Sequence, residues 1–457
     1  MTECIARERL DFHPQTQIDV VADGPELSSD AGLLILRHLD EQLDLTHGFS
    51  KLVPDERDPS RVVHTRHEQV RQRVLQIAMG YEDCNDATKL RHDPMFKLVH
   101  EQLPNDSRSL SSQSSLSRFE NAVSPQAIRA MMRYLERTYV ESLPEDTELV
   151  ILDIDPTDDP THGHQELSCF NGYYDQHMYS PNLVIDGVSG ELITALLRGG
   201  KAAASRGARS ILGRVIRRLK ERFPDVHICV RGDAHFGIPR VMRFLDGLNE
   251  ELGSIDYLLG IQTNKALQRK LGEELPKVVK RRCEDTGRAA RLFAEFEYRT
   301  RRSWIRSRRI IAKAEHLPKG ANHRFVVTSF EGFPPEFLYR AYCGRGQCEN
   351  HIKDFKRALF ADRLSCHKFF ANFFRLLLHV LAYRLMMALR NALKDIQPSM
   401  AHHQFDTLRL RLLKVAAVVT QSVRRVLIRL PRSFPLAHIF CQLLVWRPSE
   451  RLVHNPG

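Results

Sequence analysis

Tyr342, Arg345, Glu349 and Lys356 are the residues of this chain whose types and spacing could do chemistry together. They lie in FLYRAYCGRGQCENHIKDFKRALF, Phe337 to Phe360, a segment rich in helix formers that predicts a helix. At about 100° per residue, steps of three, four and seven keep the four side chains within an arc of roughly 60°. A phenol, a guanidinium, a carboxylate and an ammonium then share one face. The carboxylate could hold a metal ion, while the two cations and the hydroxyl could grip phosphates. That combination suits chemistry on a nucleic-acid backbone.

A solvated helix face could carry the same charges, so the case depends on partners for Glu349. Two segments offer them. Leu149 to Ile154 is a short apolar run of β type, broken by Asp153 and followed by Asp155, Asp158 and Asp159. A carboxylate at the end of a buried strand is well placed to hold a divalent cation. Asp153 and Asp155 share a strand face because side chains repeat every two residues, so spacing leaves either as the ligand. Val226 to Leu245, VHICVRGDAHFGIPRVMRFL, predicts a second strand running into Arg231-Gly232-Asp233, then a helix from Pro239. Asp155, Asp233 and Glu349 thus follow one another on strand end, strand end and helix.

The Y-x2-R-x3-E-x6-K spacing, the D-x-T step at Asp155 and Thr157, and the run DIDPTDDPTHGHQE from Asp153 to Glu166 together resemble the bacterial insertion-sequence transposases of the DDE type. The resemblance extends from the LSSDAGL run near the start to the basic C-terminal third. It implies an α/β fold with a ribonuclease H-like catalytic core and a strand-rich insertion. Asp155, Asp233 and Glu349 would be the catalytic, metal-binding carboxylates, with Asp155 preferred over Asp153 because the D-x-T step falls there. The cofactor would be Mg2+, with Mn2+ as a substitute, acting in two-metal phosphoryl transfer. Arg345, Lys356 and Tyr342 would contact double-stranded DNA, both terminal inverted repeats and target, and the protein would be a homodimer on the DNA ends. A related nuclease without strand transfer and a silent DNA-binding regulator are the competing expectations.

Composition agrees with a polyanionic partner: 67 Lys and Arg stand against 56 Asp and Glu, a net charge of +11 over 457 residues. The excess is concentrated in Leu196 to Phe223, Arg299 to Arg309 and Thr407 to Arg432, which together suggest a phosphate track. Trp304, within RTRRSWIRSRR, could stack on an unpaired base, or sit in the core. The nine cysteines include no C-x-x-C pair, and the N-terminus has no apolar core, so reduced thiols and a cytoplasmic location are expected. His162, His164 and Glu166 alternate, a spacing that raises a transition metal as a lesser possibility. Phe373 to Leu389 is the most apolar stretch, but Arg375, His379 and Arg384 interrupt it, predicting a buried helix and no membrane span.

The expected organisation is a mostly helical N-terminal region, 1–145, that binds DNA ends. A catalytic core over 146–264 and 331–400, a strand-rich insertion at 265–330 and a basic region at 401–457 complete it. Helices are predicted over Leu27 to Leu43, Arg66 to Gly80, Asp86 to Leu98 and Ser115 to Leu135, with Leu110 to Asn121 a candidate DNA-docking helix. Strands are predicted at Leu183 to Ile185, Leu192 to Leu197, Tyr257 to Gln262, Leu292 to Tyr298, Trp304 to Ile311 and Arg324 to Ser329. Alternating basic and apolar residues suggest two more at Leu408 to Leu412 and Val423 to Leu430.

Overall fold

The computed structural model describes residues 7–448. Its central feature is a mixed sheet whose strands form where apolar and β-branched residues run together. These are Leu149–Pro156 (β1), Asn182–Asp186 (β2), Leu192–Leu196 (β3), His227–Gly232 (β4), Ile255–Ile261 (β5), Ala290–Tyr298 (β6), Arg308–Leu317 (β7) and Arg324–Thr328 (β8). Their order is β6-β7-β8-β5-β4-β1-β2-β3, with the two-residue strand Gly320–Ala321 beside β7. β1, β4 and β5 are parallel, and the other neighbours on this path are antiparallel. β1 to β3 form a meander whose Asp186-to-Gly190 turn is closed by Ser189 Oγ donating to Asp186 Oδ2 at 2.6 Å. The strands between residues 290 and 328 join the sheet directly, because β8 pairs with the free edge of β5.

Period two sorts the central strands into two faces. Val150, Leu152, Ile154, Ile228, Val230, Tyr257 and Leu259 belong to the main core. The other face of β4, β5, β7 and β8 carries Cys229, Leu258, Ile311 and Val326, packed with Leu338 and Tyr339. Leu338 and Tyr339 lie on the helix Pro335–Cys343, the start of the segment that bears Glu349. The sheet therefore carries its acidic residues on the face that this segment covers.

The N-terminal helices include Leu33–Leu43 (α1), Arg66–Ala78 (α2), Gln113–Asn121 (α3) and Pro125–Ser142 (α4). α2 starts in a capping box between Thr65 and Glu68 and ends before Gly80, whose φ of 88° stops the helix. Ala208–Arg222 (α5) and Pro239–Leu252 (α6) are followed by Pro335–Cys343 (α7), Gly346–Lys353 (α8) and Phe369–Ile396 (α9). α9 is long and apolar enough to cross a membrane, yet its most apolar window is wholly buried in protein. It packs against α1, α2, α3, α4 and β3. Arg384 donates to the carbonyls of Leu192 and Ile193 on β3 and of Leu135 on α4, which explains one of the charges interrupting its apolar run.

Several expectations change. Leu27–Ser28 is a strand, because it pairs with Ala417 and Val418, and the helix begins only at Leu33. Asp86 to Leu98 divides into Ala87–Leu90 and Pro94–Val99, the second capped by Asp93. Ser115 to Leu135 divides at a new cap, Ser124. Leu408 to Leu412 is helical and ends in the π-turn Arg409–Leu413, since Leu408, Leu412 and Leu413 bury on one side. The hairpin that follows uses Ala417–Gln421 and Val426–Arg429. α3 also buries Leu116, Phe119 and Glu120.

Glu120 joins three helices. Its carboxylate, 1% exposed, accepts from Arg73 Nε at 2.8 Å and lies 3.5 Å from Arg375 Nε. Removing one member of such a buried set strands the opposite charges. Glu120→Ala is expected to destabilise the protein by about 3–5 kcal/mol, read as a lowered urea midpoint; an unchanged midpoint would contradict this account.

Candidate active site

β1 presents two aspartates on one face, and the tertiary structure gives them different work. Asp153 lies opposite Arg231 in the parallel register of β1 and β4. Arg231 donates Nε to Asp153 Oδ1 at 2.7 Å and Nη2 to Oδ2 at 2.6 Å, a bidentate pair with both side chains under 5% exposed. Its Nη1 donates to the Ala341 carbonyl of α7 at 2.8 Å. Asp153 is thus engaged in joining strand to strand to helix, whereas Asp155 pairs with Arg345.

Ile154 pairs with Gly232, so the chain leaves β1 and β4 with Asp155 and Asp233 at adjacent strand ends. Asp233 accepts from the His235 backbone amide at 2.9 Å, and its other oxygen lies 2.7 Å from His235 Nδ1. Glu349 sits on α8 with its side chain 69% exposed. Arg345 spans the group: Nη1 donates to Asp155 Oδ2 at 2.7 Å, and Nη2 lies 3.9 Å from Glu349 Oε1. Burial pushes the Asp155 carboxyl up to about 7; the Arg345 charge opposes this, and Asp233, Glu349 and Asp153 reinforce it. Three sequence-distant carboxylates therefore share one electrostatic environment.

The segment from Tyr342 to Lys356 is not one continuous helix. α7 ends at Cys343, α8 begins at Gly346, and Asp354–Ala358 is a π-turn. Gly344 marks the first break, where a Cβ would stand 2.6 Å from Arg231 Nη1. The π-turn takes an extra residue per turn and changes the phase of Lys356. Lys356 consequently bonds Asp158 Oδ1 at 2.8 Å and lies 3.8 Å from Asp362, while Arg345 stays with Asp155 and Glu349. Tyr342 is half-buried beside the end of β5, where a Cβ on Gly260 would come within 2.7 Å of its hydroxyl. Burial pushes that hydroxyl up, and Arg345 is its favourable charged neighbour.

Trp304 is only 9% exposed and meets Tyr298 edge-on at 5.4 Å. It anchors the arginine-rich β6–β7 loop in the core, with its backbone amide donating to Thr300 Oγ1, and offers no open ring to a base. His162 and His164 are exposed, whereas Glu166 serves the fold by accepting from the Phe369 amide at the start of α9. Sequence reasoning named Arg231, Asp158 and Asp159 but assigned none of them a partner. The partner of the first was detectable only once β1 and β4 were known to be parallel neighbours in register.

Among the described residues, no three His, Cys, Asp or Glu side chains are gathered closely enough to hold a metal ion as they stand. A cation already occupies the position between two of the carboxylates, the Arg345 guanidinium. Asp155, Asp233 and Glu349 offer oxygen alone, a donor chemistry that suits a hard divalent ion.

An α/β chain with a large mixed sheet and an acid cluster at its central strand ends is the class of protein these features define. The chain belongs to the family described as transposase DDE domain group 1, whose profile matches residues 11–447. Among solved structures it is similar to the piggyBac transposase synaptic complex with hairpin DNA, at 11% identity and a TM-score of 0.40, covering 93% of this chain and 86% of that one. No curated protein matches the sequence.

Two expectations separate the aspartates by role. Asp153→Asn should lower the unfolding midpoint by the equivalent of about 3–5 kcal/mol, because Arg231 would keep a buried charge without its carboxylate; a midpoint within error of wild type would refute this. Asp159 is 1% exposed and neither carboxyl oxygen has a hydrogen-bond partner. Burial, then the nearby Asp362 charge, raise its pKa well above the ordinary carboxylate range. Its protonated form is favoured in the folded protein, so its contribution is complete at acidic pH and is lost as pH rises through the folded value. Thermal unfolding should therefore show wild type losing stability relative to Asp159→Asn as pH is raised, and a constant difference would exclude this.

Proposed function

We propose that this protein is a DNA transposase of the insertion-sequence type, with the Y-R-E-K signature, that cuts the ends of its element and joins the freed 3′-OH to target DNA. The observation that carries the proposal is the Arg345 guanidinium spanning Asp155 and Glu349 beside the neighbouring strand end that carries Asp233. The strand order β3-β2-β1-β4-β5, with β2 antiparallel to β1, supports reading the core as ribonuclease H-like. Bacterial origin, a cytoplasmic setting and a homodimer on paired DNA ends belong to the same proposal.

Asp155, Asp233 and Glu349 would hold Mg2+ or Mn2+, and the bound ions would supply Lewis-acid stabilisation of the phosphoryl transfer. The remaining work falls to side chains of the chain. Arg345 and Lys356, now paired with Asp155 and Asp158, would exchange those carboxylates for DNA phosphates on either side of the scissile bond. The Tyr342 hydroxyl, held beside Gly260, would donate to a phosphate oxygen. Exposed Arg299, Arg301, Arg302 and Arg306 on the Trp304-anchored loop would extend the electrostatic contact along the duplex.

Alanine in place of Asp155, Asp233 or Glu349 should abolish nicking of a labelled element-end duplex while DNA binding persists, since negative charge is removed from a phosphate site. Full nicking by Asp155→Ala would overturn the assignment. In metal-stripped protein, Mg2+ or Mn2+ should restore nicking and Ca2+ should support binding with little cleavage. Restoration by Zn2+ alone, or nicking in EDTA, would rule out a carboxylate metal site. Lys356→Ala should reduce the slope of log affinity against log salt by about one unit, and an unchanged slope would place Lys356 away from phosphate.

A further inference from the structure

Between β1 and β2 the chain leaves the main sheet and forms a small one from Asp159–Pro160, Cys169–Asn171 and Gln176–Tyr179. Its hairpin, Cys169 to Tyr179, is firmly rooted. Met178 and Tyr179 are fully buried, Tyr179 donates its hydroxyl to the Glu166 carbonyl at 2.6 Å, and Asn171 Nδ2 donates to the Gly200 carbonyl at 2.9 Å. The tip is the opposite. Tyr173 is 86% exposed and Tyr174 43%, with the rings edge to face at 4.9 Å. The turn is set by the Tyr173 amide donating to Asn171 Oδ1 and by Asp175 at a φ of 53°. Nothing in the fold requires two large aromatic rings there.

Their position suggests what they meet. Gln176, two residues from Tyr174, reaches Asp158 Oδ2 at 3.4 Å, and Asp158 is the carboxylate that holds Lys356 at 2.8 Å. The tip thus springs from a strand that touches the same aspartate as Lys356, two residues beyond Tyr174. A phosphate gripped by Lys356 would carry its nucleotide toward the tip. A base inside a duplex is already stacked on its neighbours, whereas an unpaired base at a DNA end has a free face, and aromatic rings bind such faces with little regard to sequence.

We infer that Tyr173 and Tyr174 form a stacking platform for an unpaired base at the DNA end held in the active site. The inference rests on the transposase reading and adds a preference for frayed or single-stranded ends over blunt ones. Two rings with few rotatable bonds on a braced hairpin lose little entropy on binding.

The test is fluorescence anisotropy on the full chain with Ca2+, using a labelled blunt duplex and the same duplex bearing a short unpaired extension. Wild type should favour the extended duplex by about tenfold. The double variant Tyr173→Ala/Tyr174→Ala should bind both probes alike, with its affinity for the blunt duplex and its unfolding midpoint unchanged. Tyr173→Phe/Tyr174→Phe, which keeps the rings, should retain the preference. A wild type without preference, an alanine variant that keeps it, or a phenylalanine variant that loses it would each overturn the platform alone. A wild type that binds neither duplex, at any salt, would overturn the transposase reading and the platform together.

Discussion

The Arg231 guanidinium is the contact on which the arrangement of the site depends. It is almost completely buried, binds Asp153 through two nitrogens and the Ala341 carbonyl through the third, and so ties β1, β4 and α7 at one point. A charge at that depth is tolerable because a carboxylate opposes it and each of its three nitrogens meets an acceptor. The pair fixes the lateral position of two parallel strands whose next residues are Asp155 and Asp233. It also anchors α7, which leads into Arg345 and the helix bearing Glu349. Gly344 belongs to the same constraint, since a side chain there would push against the guanidinium.

A second layer of positioning comes from α9. Tyr383 donates to the Gly190 carbonyl at the β2–β3 turn and lies 3.2 Å from His351 Nδ1 on α8. Arg390 and the Phe405 amide meet the Asp354 carboxylate at the start of the π-turn. The glutamate segment is thereby held from behind by the most buried helix of the molecule, while its front faces the strand ends. The N-terminal helices pack on that same helix, and Glu120, Arg73 and Arg375 lock them to it. The acidic face of the sheet and the N-terminal region are joined through shared core.

Electrostatically, the two cations of the glutamate segment are paired within the chain. Arg345 rests on Asp155 and Lys356 on Asp158, both carboxylates from one short segment. In a partly buried setting these pairs compensate desolvation that either partner alone would bear. On the proposed reading, a polyanion competing for the cations would release the same carboxylates, coupling the two by charge balance.

Much of this was legible in the sequence. The strand ends at Asp155 and Asp233, the meander with its Asp186-to-Gly190 turn, the buried helix from Phe369 and the sequence order of the carboxylates all follow from local periodicity and turn chemistry, which depend on near neighbours. The different partners of Asp153 and Asp155 did not, because they turn on Arg231 across a strand pairing and on Arg345 across the fold. Nor did the break at Gly344, the divergence of Lys356, the burial of Trp304, or the helical state of Leu408 to Leu412. The one-dimensional pattern determined which residues could line a face and where elements begin and end. Only the tertiary structure decided which charge neutralises which, because burial and pairing are set by residues far apart in the chain that meet when the sheet, the glutamate segment and the central helix pack together.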